Sequence, residues 1–558
     1  MLLVGIPLAF SIGCGVPEES SADTADLVLA NAKVWTGVEG EPFAEWVAVR
    51  GDRITAVGSG TPPDAKKTLD MNGRLVIPGF NDSHVHFASA GGLLLGVNLL
   101  DVNDDEGFRQ RIQAAAERLP KGSWITGGDW GAYEAWAMGS EGGESTATQY
   151  VPRRSLIDEH TPDHPVLVVR FDRAMGLANA AALDELGIVS ETGILKEEEL
   201  QAALGSVPEK SFERRMAEAR GALLECRRWG VTTVQDMSPL DQLDVYDRLR
   251  EDGELTCRIH FSPSRLSDYE MMIEKEWTVG AGDEWVRFGT IKTHIDGIMG
   301  GRSARFFEPY DDNSPDVPNW RGGWREFSGD LQKFEEMLTA ADAARIQLRV
   351  HAIGDEANSI MLDILERIEK NNGTRSRRFR LVHAQVIHPK DFDRIGQHEV
   401  VAEVQPYHCT DDMRWMEERI GHERCKGAYA FRSLIDAGCT LAFGSDWPGT
   451  NASYYPVNPL FGLYAAVTRQ TINGTPPEGW FPEQRLSLEE ALRAYTYGGA
   501  YASFEENDKG RIKEGQLADL AVLNTDLFET EPSEWLEARV DYTIVGGRIV
   551  FDRSREEG

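Results

Sequence analysis

The sequence predicts an α/β chain: a (β/α)8 TIM-like barrel with a small β-sandwich built from both chain ends. Three observations predict it. Eight apolar, β-rich runs alternate with helical stretches between about residues 77 and 502, the pattern of βα units around a parallel sheet. Histidine, lysine and aspartate recur at the carboxyl ends of those runs. The first and last segments of the chain share one pattern of short alternating strands.

The chain opens with "MLLVGIPLAFSIGCGVPEESSADTADL", a short apolar segment, a small-residue site ending in Cys14 and a polar tether. This resembles a bacterial lipoprotein signal, although no Lys or Arg precedes the apolar run and Ser11 stands where Leu is usual. Residues 1–25 are therefore expected to be leader and tether. A lipid anchor at Cys14 and an exported, periplasmic or membrane-tethered mature chain follow, with a cytoplasmic chain as the alternative. No stretch reaches the length of about 20 apolar residues that a spanning helix needs.

Residues 26–76 alternate apolar and polar positions in "DLVLANAKVWTG", "EWVAVRGDRITAVGSG" and "KKTLDMNGRLV", which read as antiparallel strands. Residues 503–558 repeat the pattern in "GQLADLAVLNTD" and "RVDYTIVGGRIVFD", so the two ends are expected to complete one β-domain. The barrel is expected over 77–502, and its strands as "RLVIPG", "PVLVVRFD", "VTTVQDM", "VRFGTIKTHID", "IQLRVHAIGD", "FRLVHAQ", "VVAEVQPYH" and "TLAFGSDWP". Eight is the number that a closed barrel requires. An open doubly wound sheet is disfavoured, because no Gly-rich phosphate fingerprint follows any of these strands. Helices are expected in "DDEGFRQRIQAAAERL", "FERRMAEARGALLECRRW" and "GDLQKFEEMLTAADAARI".

Composition narrows the partners. With 91 acidic against 58 basic residues the net charge is −33, which repels phosphate backbones and anionic membranes and argues against nucleic acid. Five cysteines follow Cys14 with no CxxC pair, so zinc-ribbon and thioredoxin readings lack support. Their odd number leaves at least one free thiol, and buried apolar roles are expected, with one disulfide left open.

The chemistry sits at strand ends, where barrel enzymes build their sites. His84 and His86 are two residues apart on a strand and so share a face. Alone, such a pair is weak. His351 and His383 occupy the equivalent position on other strands, and imidazole is the commonest metal-binding side chain. Asp446 in "FGSDWP" adds a carboxylate from the last strand; a helix N-cap is its structural alternative. Lys292 in "IKTHID" is costly if buried as a cation. A carbamate there would remove the charge and bridge two ions, while a substrate-contacting or salt-bridged Lys is the alternative. His294 shares the face of Lys292 and reads either as a supporting group or as core.

These residues resemble the amidohydrolase superfamily, in the branch of N-substituted formamide deformylases and the YtcJ-like metal-dependent hydrolases. The likeness spans nearly the whole mature chain and rests on "VIPGFNDSHVHF", "KTHIDGIMGGRSA", "RVHAIGDEA", "LVHAQ", "VQPYH", "AFGSDWP", "ALRAYTYGGAYASF" and "GRIKEGQLADLAVL". It implies that His84, His86, His351, His383 and Asp446 form a metal site, with Lys292 as the carbamate candidate. Gln405 and His408 resemble the family's substrate-side residues. Trp130 in "GGDW" is similar to an aromatic that lines the pocket, with a core position as its alternative, and Arg170, taken as a further substrate-binding residue, fits the surrounding pattern with Asn179. One departure stands out: where the branch has Asp-Gly-His, this chain has Asp172-Arg173-Ala174. It lies outside the five metal residues and bears on the substrate.

The resemblance implies hydrolysis of a non-peptide, amide-like C–N bond of a small molecule by metal-activated water, with Asp446 as the proton acceptor. The expected cofactor is one or two divalent ions, zinc first, with iron, manganese and nickel as alternatives. Ester, lactone or carbamate hydrolysis, deamination and non-catalytic ligand binding are the rival functions. A homo-oligomer is left open.

Overall fold

A computed structural model describes residues 24–131, 150–171, 173–325, 329–449 and 454–556. The expected leader with Cys14, most of the loop 131–153, and Asp172 lie outside the described residues.

The apolar runs fold into two all-parallel sheets. In one, Phe80–Val85, Val231–Asp236, Arg258–Phe261 and Val286–Arg287 lie side by side in chain order. In the other the order is Thr290–His294, Gln347–Ala352, Arg380–His383, Val401–Val404 and Thr440–Phe443. The sheets adjoin at both edges. Val286–Arg287 runs almost directly into Thr290–His294, and Val85 forms a parallel bridge with Trp447 just past the last strand. Nearly every residue of these strands is buried, which is why the sequence shows continuous apolar runs.

Two expected strands lie elsewhere. Leu75–Pro78, read as the first barrel strand, pairs with Leu520–Leu523 in the terminal sheet, and the strand carrying His84 begins after it at Phe80. Gly79 separates the two: a Cβ there would stand 2.2 Å from the Thr232 side chain, so only glycine allows the strands this close. Val166–Arg170, read as the second barrel strand, belongs to a separate sheet with Val97–Asn98, Ile125–Trp130, Met175–Ala178 and Ile194–Lys196. That sheet is inserted after Phe80–Val85 and has its own core around Phe108, Trp130 and Val168. The strand missed by pattern is Arg258–Phe261, only four residues long and half polar in sequence.

The three helical stretches form Asp105–Arg118, Phe212–Arg228 and Leu331–Ala343. Each starts on a side-chain cap, with Asp104, Ser211 and Asp330 accepting the N–H groups of Gly107, Arg214 and Lys333. The chain ends form a four-stranded sheet from residues 25–70 and a six-stranded sheet that joins residues 33–78 to 520–552. The two sheets share a cluster that includes Leu29, Val47, Val76, Leu520 and Ile544. All five cysteines after Cys14 are buried free thiols. Among the described residues no helix is long and apolar enough to cross a membrane.

Candidate metal centre

The carboxyl ends of the parallel strands converge, and the backbone of two segments is stitched together there. Asp446 N donates to His84 O at 2.8 Å, and His86 N donates to Trp447 O at 2.8 Å. Asp82 reinforces the seam, its carboxylate accepting from Ser445 N, Ser445 Oγ and His84 N. His84 and His86 thus reach Asp446 from the neighbouring strand end: their Nε2 atoms lie 3.3 Å and 3.1 Å from Asp446 Oδ1. Oδ1 is buried yet makes no hydrogen bond of proper geometry. Asp446 and His383 both hold left-handed backbone angles, φ +59° and +69°. Such angles are uncommon for non-glycine residues and gather at functional sites.

His84, His383 and Asp446 are buried and offer ligand atoms that all lie within 4.8 Å of one another. Two neighbours fix which nitrogen each imidazole presents. His84 Nδ1 donates to Glu403, and His383 Nδ1 donates to Gln405 Oε1 at 2.7 Å. Both Nε2 lone pairs are left free, the arrangement of a metal-binding imidazole tied down from behind. Burial lowers the pKa of His84, and lowers that of His383 well below the ordinary value with help from the His351 imidazole. The rings are therefore neutral, as metal binding requires.

The other expected residues take distinct places. His86 touches the cluster through Asp446 and is the most exposed of the set, its side chain 40% accessible. His351 packs its ring 4.6 Å from that of His383, but its Nε2 donates to Gly297 O at 2.9 Å, and it stands outside the three-residue cluster. His294 lies on its far side, 5.0 Å ring to ring. Lys292 is buried, its ammonium makes no hydrogen bond or ion pair among the described residues, and its pKa is pushed down to about 7 by burial and by the Arg349 guanidinium. Gln405, expected on the substrate side, instead orients His383. His408 has its Nε2 3.9 Å from Asp446 Oδ2 and its ring 3.9 Å from that of Tyr455, with burial lowering its pKa to about 4.

Trp130 does not line a pocket: it is fully buried in the core of the inserted sheet, edge-on to Phe108. Large apolar size serves a core as well as a pocket, and here the core claims it. Arg170 ends a strand of the same sheet in register with Trp130, and Ala174 is exposed at its edge. Pattern reading missed Glu403, Arg349 and Arg380, which form a buried knot in which both guanidinium groups contact the Glu403 carboxylate. The signal was present, because charged residues inside otherwise apolar strands must be paired.

A cavity of about 1020 Å³ opens from His86, Pro448 and Gly449 towards the inserted sheet. It is large enough for a small organic molecule.

Comparison with known proteins agrees with this geometry. The chain matches the amidohydrolase family over residues 67–551. It is 34% identical to the protein LONG AFTER FAR-RED 3 of Arabidopsis thaliana, covering 94% of this chain and 92% of that one. It is 25% identical to the N-substituted formamide deformylase of Arthrobacter pascens, covering 95% and 99%. Among solved structures it resembles an uncharacterized metal-dependent hydrolase of Pyrococcus horikoshii, with TM-score 0.73, 22% identity, and coverage of 91% of this chain and 99% of that one. That last likeness bears on fold alone.

Proposed function

The chain belongs to the amidohydrolase family, and from that premise we propose that it is a metal-dependent hydrolase cleaving an amide-like C–N bond of a small molecule. In this reading Val286–Arg287 and Thr290–His294 are two parts of one strand, the two parallel sheets close into a (β/α)8 barrel, and the paired terminal sheets form its β-sandwich. One observation carries the proposal: the buried approach of His84, His383 and Asp446 within 4.8 Å, with both imidazole Nδ1 atoms already engaged. Unprotonated nitrogens facing an ionised carboxylate that lacks a hydrogen bond form a donor set suited to a divalent ion, zinc first. The likeness to a formamide deformylase supports a C–N bond as the target.

His84, His86, His383 and Asp446 would hold the ion, with His351 beside them. A divalent ion supplies Lewis acidity and brings water towards ionisation near about pH 7. The protein's own residues do the rest. Asp446 takes the proton from water and returns it to the departing nitrogen. His408, beside the Asp446 carboxylate, is placed to hydrogen-bond the substrate carbonyl. Lys292, its pKa pushed down to about 7, holds a substantial share of free amine near neutral pH, the form that adds carbon dioxide. A carbamate there would offset the surplus of Arg349 and Arg380 over Glu403 and recruit a second ion.

The test is elemental analysis of protein prepared without chelators, paired with amide turnover before and after metal removal. One or two transition ions per chain are expected, with activity lost on chelation and restored by zinc. A metal-free preparation with full activity would refute the proposal.

A further inference from the structure

The cavity beside the candidate metal centre contains a half-buried carboxylate, Asp129, one of whose oxygens accepts no hydrogen bond. Asp129 lies on the strand Ile125–Trp130, which departs from regular pairing between Gly127 and Trp130. Gly127, Gly128 and Asp129 all hold left-handed angles, φ +84°, +88° and +49°. Trp130 goes into the core, whereas its neighbour Asp129, on the opposite face of the strand, lines the cavity together with His86. Asp129 Oδ1 is buried and accepts no hydrogen bond. Burial pushes its carboxyl up to about 6, against the lowering effect of Arg173.

The other charges on the cavity wall are largely engaged. Lys210 and Arg214 both bind Glu218, at 2.8 Å and 2.7 Å, and Lys121 binds Asp163 at 2.8 Å. With Lys210 and Arg214 sharing one carboxylate, Asp129, Glu185 and Glu209 outweigh Arg173 and the cation left over on Glu218 by a single charge, so the available charge of the cavity is weakly negative. A desolvated acceptor without a donor is costly, and a donor carried in by a ligand would remove that cost.

We infer that Asp129 is a specificity-determining residue that binds a protonated amine or guanidinium on the substrate, so that the preferred amides carry a basic substituent. The inference rests on the hydrolase reading above for the reacting end of the substrate and on the cavity for its other end. Charge-assisted hydrogen bonding of this kind is worth about 10- to 100-fold in binding.

The test compares N-formyl-1,4-diaminobutane with N-formylpentylamine, which differ in replacing an ammonium by a methyl group, in the metal-loaded wild type and in Asp129→Asn. Asparagine tolerates left-handed backbone angles, so the variant should keep this backbone. The expected result is that Asp129→Asn raises KM for the diamine derivative about 10- to 100-fold while kcat changes little and the pentylamine derivative is unaffected. An equal loss on both substrates, or no loss on either, would overturn the inference. Calorimetric binding of the diamine derivative separates this from the hydrolase reading. If the wild type cleaves neither compound but binds the diamine derivative in an Asp129-dependent way, the reaction assignment fails and the recognition stands. If binding is the same in both proteins, the recognition fails.

Discussion

Glu403 accepts the Nδ1 proton of His84 in a contact where neither residue meets solvent. The same carboxylate also neutralises Arg349 and Arg380, so one residue both aims a candidate ligand and balances the charge beneath it. Glu403→Gln keeps the shape but deletes the charge. Loss of an orienting carboxylate behind a metal-bound imidazole costs about 10- to 100-fold in metal affinity. Removing one partner from a buried ion pair costs about 3–5 kcal/mol of stability. Metal competition against a fluorescent chelator and a thermal melt should therefore both move. A variant that melts early but binds metal normally would reduce Glu403 to a structural role.

Asp446→Asn tests the proton path. The side chain keeps its size and one coordinating oxygen but loses the basicity needed to take a proton from water. Folding should be preserved and kcat should fall by about two to four orders of magnitude, the usual share of general acid–base catalysis. Unchanged turnover would remove Asp446 from the mechanism.

Much of this arrangement was legible in the sequence, and the exceptions have physical reasons. His84, His383 and Asp446 were visible because polar residues ending apolar strands are rare unless used or paired. Glu403 carried the same signal from within a strand, but its partners Arg349 and Arg380 lie on two other strands, so only tertiary structure reveals the knot. The strand Arg258–Phe261 hid because Arg258 satisfies its charge on Asp519, from the terminal sheets. Val166–Arg170 was misplaced because a buried parallel strand looks alike in any sheet. Asp129 gave no signal, because a carboxylate next to a core tryptophan on a strand looks like an ordinary solvent-facing residue.

Lys292 allows the carbamate to be tested directly. Lys292→Ala should lose any second ion and most activity, since nothing then supplies a bridging carboxylate. Short carboxylic acids such as acetate or propionate, added to the variant, should restore part of both metal content and turnover by filling the vacated space. A lysine that acts as a cation predicts the opposite, with rescue by small amines and none by acids.

Glu505 provides a stability test remote from the chemistry. It is buried 2.9 Å from Lys509, 3.5 Å from Arg287 and 3.7 Å from His260 Nδ1. Burial alone would raise its carboxyl, but Lys509 outweighs it and holds the group well below the usual range. His260 is itself pushed towards the neutral form by burial, so the lysine is the main source of charge. The folded pKa therefore lies below the unfolded value of about 4.3. The folded state binds fewer protons than the unfolded state between those two values, so the stabilisation is complete above about pH 5 and is lost as the pH falls. Glu505→Gln should cost about 3–5 kcal/mol at pH 7, where Lys509 is left buried without its anion. Denaturant midpoints for wild type and variant should converge as the pH is lowered from 7 towards 3, because acid progressively removes the wild type's advantage. A gap that stays constant over that range would show that the ionised carboxylate contributes nothing and that the variant fails through packing alone.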